Sequence, residues 1–162
     1  MRSDSRPTAA RRTAAPLAAP AALSLVRPLR LRLCSEIGRG SLDGAWWPYG
    51  RDLAIEVLDL VQHFPPMLGR LSRIVYSAPD WRLNRRRRIQ VDEEFVSIGS
   101  SPRDDAHMVM LRTMSPRVSR VLHLLVVPPE WDERAARHAM RAAVSPGSTA
   151  SGAAILDASR DR

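Results

Sequence analysis

The sequence predicts an α+β domain: one mainly antiparallel sheet of about five or six strands with two helices packed on it. Three observations carry this. Short β-branched or apolar runs recur from residue 71 to residue 127, each bounded by turn residues. Two other stretches, opening at Asp52 and Asp132, place their apolar residues at helical spacing. The strands follow one another through short links, which favours antiparallel neighbours in one sheet.

The elements come in order. Leu29, Leu31 and Leu33 alternate with Arg30, Arg32 and Cys34, the period of a half-buried strand. A Gly-rich turn follows at Gly38, Gly40 and Gly44, then Trp46-Trp47-Pro48. Leu53, Val57, Leu60, Val61 and Phe64 then fall on one helical face, with Asp52 as N-cap or first-turn acid and Pro65-Pro66 as the stop. Strands are expected at residues 71–78, 88–91, 95–98, 108–113 and 121–127. The last, Val121-Leu122-His123-Leu124-Leu125-Val126-Val127, is nearly all apolar and reads as a central strand covered on both faces. Asp132 then caps a helix with a narrow apolar stripe of Ala136, Ala139, Met140, Ala143 and Val144, which Ser145-Pro146-Gly147 closes. No internal repeat is visible.

The chain has 162 residues and a formal net charge of +8, all of its basic side chains being Arg. Residues 1–28 hold five Arg against one Asp and lack aromatic residues, so they read as a disordered Ala/Pro/Arg-rich tail. Residues 29–146 are the folded domain, with 18 Arg against 14 acids, and residues 147–162 read as a flexible second tail. Half of the excess charge thus belongs to a tail, and the domain is only mildly basic. A chain-wide absence of Lys reads as codon usage and not as a binding device. No apolar run has the roughly 18 residues of a membrane span, and Pro16 and Pro20 interrupt the one export-like stretch, so a cytoplasmic protein without a membrane partner is expected. The lone Cys34 forms no internal disulfide and no Cys-based zinc site.

The run Gly40-Ser41-Leu42-Asp43-Gly44-Ala45-Trp46-Trp47-Pro48, followed by Arg51-Asp52-Leu53 opening a helix, resembles the signature of an actinobacterial family of uncharacterised domains. A strand ending near Trp81, a basic stretch before Phe95 and Leu124-Leu125-Val126-Val127-Pro128-Pro129 continue the resemblance, which covers about residues 29–146. It implies a common fold and a cytosolic location, without an activity. The sequence departs from the pattern at Tyr49-Gly50, where relatives tend to carry Arg-Ser. A ligand contact made by that Arg would be lost or altered here.

Two surfaces are candidates for binding. Asp43, Trp46, Trp47, Arg51, Asp52 and Trp81 form a candidate ligand site, because Trp faces take a sugar, base or peptide and carboxylates orient polar groups. The competing reading has one or both of Trp46 and Trp47 in the core, Asp43 stabilising a turn and Asp52 capping a helix. Arg82, Arg85, Arg86, Arg87 and Arg88 form a candidate nucleic-acid site, since guanidinium groups pair with phosphates beside a Trp that can stack on a base. Asp92, Glu93 and Glu94 follow closely and can neutralise that run within a hairpin.

Catalytic chemistry finds little support. Gly38 to Gly44 fits neither dinucleotide nor phosphate-loop patterns and does not open directly into a helix. His63, His107, His123 and His138 have no metal spacing, so no metal or cofactor is expected. Asp104, Asp105 and His107 share a loop, where adjacent carboxylates are usually just solvated. The reading is therefore a non-enzymatic binding or protein-interaction module using Gly40–Pro48. A nucleic-acid-associated protein is the alternative, and a carboxylate enzyme at Asp43/Asp52 ranks last.

Overall fold

A computed structural model describes residues 27–82, 87–101 and 106–160. The N-terminal tail up to residue 26 lies outside the described residues, as do Arg85, Arg86, Asp104 and Asp105. The strands are β1 (Leu31–Leu33), β2 (Gly44–Trp46), β3 (Arg70–Ser77), β4 (Arg88–Val91), β5 (Glu94–Ser101), β6 (Met108–Met114) and β7 (Ser119–Val126). The helices are α1 (Leu53–His63), α2 (Glu133–Ala143) and α3 (Gly152–Arg160). Short 3-10 turns sit at Pro66–Leu68 and Ala78–Asp80.

One sheet runs in the order β1-β2-β7-β6-β3-β5-β4. Four of its six pairings are antiparallel, and β2–β7 and β3–β5 are parallel. The α+β class holds, with seven strands among the described residues instead of five or six and three helices instead of two. The additional strand is β2. Its neighbourhood of glycines reads locally as a turn, but Gly44, Ala45 and Trp46 pair with Leu124, Leu125 and Val126 of β7. The additional helix is α3, which lies within the expected C-terminal tail and holds itself against α2 by burying Ile155 and Leu156.

The sheet separates two cores. On one face, Leu53, Val57 and Leu60 of α1 meet Trp46, Ile74, Val96, Leu111 and Leu122. Asp52 accepts the amides of Ala54 (3.0 Å) and Ile55 (3.4 Å), so α1 starts where the sequence places its cap. On the other face, the small stripe Ala135, Ala136, Ala139 and Ala143 lets α2 approach β2 closely, with Ala45 fully buried beneath it. Asp132 caps α2 through the amides of Arg134 and Ala135. β7 is covered on both faces from Leu124 to Val126, whereas Val121 and His123 are exposed.

Candidate functional site

The Gly40–Pro48 segment is built into the sheet. The Asp43 carboxylate is buried and accepts the amides of Gly38 (2.6 Å) and His123 (2.9 Å), tying the preceding turn to β7. Strand alternation then sends Trp46 to the α1 side and Trp47 to the α2 side. Trp46 is 1% exposed, and its ring centroid lies 5.3 Å from that of the buried Trp81. Trp46 and Trp81 thus offer no free ring face, and Asp52 is spent on the helix cap.

Trp47 is different. It is 7% exposed yet lines a cleft of about 290 Å³ between the β1 segment and α2, and its buried indole N–H, like that of Trp81, has no acceptor among the described residues. Leaving a buried donor unpaired costs on the order of 1–3 kcal/mol. Four arginines, Arg30, Arg32, Arg137 and Arg141, line the same cleft with Met140. The Arg30 group is sandwiched 3.6 Å from the Trp47 ring centroid and 3.7 Å from that of Tyr49, and Nε donates to Trp47 O at 2.9 Å. Burial lowers its pKa. Arg137 pairs with Glu133 on its own helix, whereas Arg32 and Arg141 have no carboxylate partner among the described residues.

Tyr49 and Gly50 sit beside this cleft. Tyr49 N donates to the buried Glu56 carboxylate at 2.9 Å, and its hydroxyl donates to Pro28 O at 2.9 Å. Burial pushes the Glu56 carboxyl up, and the Tyr49 amide opposes that. The aromatic ring at this position thus clasps Arg27 and Arg30 on the flank of the cleft. Two larger clefts, about 420 and 410 Å³, bring no comparable set of cations together, since Glu36 and Arg39 of the first pair with each other.

Arg51 lies apart from Trp47. It bridges Asp80 O (2.8 Å) and the Glu130 carboxylate (2.5 Å), beside a pair the sequence reading missed. The buried Asp80 carboxylate accepts from His107 Nδ1 (2.7 Å) and from the His107 amide (2.7 Å). This clamp holds His107 at φ 65°, a region non-glycine residues rarely occupy. The partners are 27 residues apart and joined only by the fold. The hydrogen bond to Asp80 raises the His107 pKa. A raised folded pKa adds stability that is fully present below the unfolded value of about 6.5 and is lost as pH rises through the folded value. Thermal unfolding across pH 5–9 is expected to show His107→Gln losing most relative to the parent at acid pH, with the gap narrowing above neutrality. A gap independent of pH would remove the charge from this account.

The basic run is only partly described. Arg82, Arg87 and Arg88 are exposed. Arg88 opens β4 opposite Ser97, while Asp92 and Glu93 lie at the hairpin turn and Glu94 pairs with Arg70. The acids of the hairpin therefore do not neutralise Arg87 or Arg88. Cys34 is partly buried, its thiol pKa raised first by burial and then by Asp43, which suits an unreactive side chain. No His/Cys/Asp/Glu cluster able to hold a metal occurs among the described residues. None of their helices is long and apolar enough to cross a membrane.

The sequence model of a family of unknown function (DUF5994) matches residues 30–143, from β1 to the end of α2. No curated protein and no solved structure matches the chain.

Proposed function

The chain belongs to the DUF5994 family of unknown function, and we propose that it works as a non-enzymatic binding module whose ligand surface is the cationic cleft over Trp47. The observation that carries this reading is the convergence of four arginines, two of them without a carboxylate partner among the described residues, on one cleft beside Trp47. Such a site suits an anionic group, a carboxylate or a phosphate, carried by a partner protein or a small molecule. The anion would lie beside the Trp47 ring while Arg32 and Arg141 pair with its charge. Arg30, already fixed by two backbone carbonyls and two rings, would supply a preorganised positive field. The lone, unreactive Cys34 suits a reducing cytoplasmic setting.

The test is the set of four Trp indole resonances in a 15N-labelled sample, titrated with inorganic phosphate and with a short poly-glutamate peptide. The Trp47 resonance is expected to shift saturably with one of them, and Arg32→Glu with Arg141→Glu to abolish the shift. If neither anion moves that resonance, or if the double variant responds like the parent, the reading fails.

A further inference from the structure

The helices cover only part of the sheet. α2 and α3 pack over β2, the Leu125 end of β7 and Met108 of β6. Beyond them, the same face of β6, β3, β5 and β4 carries no layer among the described residues. Its pairing registers align Arg88, Ser97, Arg73 and Arg112 in one row across four strands. At about 4.8 Å between strands, the row spans roughly 14 Å.

Two features of this row are costly for a bare surface. Arg73 and Arg112 stand directly opposite each other on antiparallel strands, where like charges destabilise the pair. Neither they nor Arg88 have an ion-pair partner among the described residues. Phe95, one row away and diagonal to Arg88, is 60% exposed. The Arg73 guanidinium lies across Gly99, where a Cβ would stand 3.3 Å from its Nη2. The chain's own N-terminal segment is a poor cover, because residues 1–26 hold four Arg and one Asp.

From this we infer that the open face of β3–β6 is a docking surface for single-stranded nucleic acid, independent of the cleft over Trp47. The unpaired Arg row meets the phosphate backbone, and Phe95 supplies a ring on which a base stacks. Alternation along β5 presents Phe95 on the same face as Ser97, the neighbour of Arg88 and Arg73, so ring and cations serve one bound strand.

Fluorescence anisotropy of the full chain with a labelled mixed-sequence 12-nucleotide single strand tests this. Binding is expected to weaken with salt, and each of Arg73→Gln, Arg88→Gln and Arg112→Gln to take about 0.7 off the log–log salt slope. Phe95→Ser is expected to weaken binding about 5- to 150-fold. Arg112→Glu separates binding from folding: it converts the like-charge pair into an ion pair, so its Tm holds or rises while binding is lost. The inference is overturned if the parent fails to bind at low salt. It is equally overturned if binding survives Phe95→Ser and Arg112→Glu unchanged, which would assign it to charge elsewhere on the chain. A dimer in sedimentation that Phe95→Asp dissolves, without oligonucleotide binding, would make the face a contact between two copies and overturn it too.

Discussion

Gly44→Ala is expected to destabilise the domain by about 3 kcal/mol or more, near the upper range for forcing atoms into a packed core. A Cβ at this position would stand 2.3 Å from Arg32 O, 2.9 Å from Leu33 Cδ2 and 3.0 Å from Leu124 Cδ2. The nearest atom is backbone of β1, so relief requires β1 to move away from β2 and give up the Leu33–Gly44 pairing. The gain from a stiffer unfolded chain, at most about 1 kcal/mol, does not offset this. At roughly 3–5 °C per kcal/mol for a domain of this size, Tm should fall by about 10 °C or more in circular dichroism. A fall of only a degree or two would mean that β1 is held far more loosely than its pairing indicates.

Trp46→Ala should cost about 3–5 kcal/mol, the range for emptying a buried aromatic site. The ring is 1% exposed, packs with Trp81 and the α1 face, and belongs to a strand of only three residues. Typical domain stability is about 5–15 kcal/mol, so one substitution would remove a large share of it. Urea denaturation measures the loss directly. Trp46→Phe is expected to restore most of it, because an aromatic ring still fills much of the volume. If Trp46→Ala unfolds at the parent's midpoint, Trp46 is not the core element described here.

These two expectations bear on what the sequence could reveal. Helical spacing from Leu53 and the Asp52 and Asp132 caps are local signals, and α1 and α2 start where those signals lie. β2 was not legible, because its three residues pair in parallel with a strand far along the chain, and local glycines speak for a turn. Asp43 and Trp46 stand out in the sequence but not by role: the structure commits one to backbone amides and the other to the core. The cleft over Trp47 draws Arg30, Arg32, Arg137 and Arg141 from opposite ends of the domain, and no spacing rule joins them. The Asp80–His107 clamp and the Arg73–Arg112 opposition escape sequence reading for the same reason: each depends on register.

The pairing of Asp43 with His123 joins residues 80 positions apart, and this governs how the chain is made. While the ribosome is still adding residues, the segment that holds both adjacent Trp has emerged without β7, one of its two partner strands. Only β1 is there to pair with it until β7 has left the ribosome, at the usual 5–20 residues per second a wait of several seconds. Through that interval Trp46 and Trp47 are open to chaperones and to the same segment of neighbouring nascent chains. Expression yield in a host depleted of nascent-chain chaperones should therefore suffer first through this short strand.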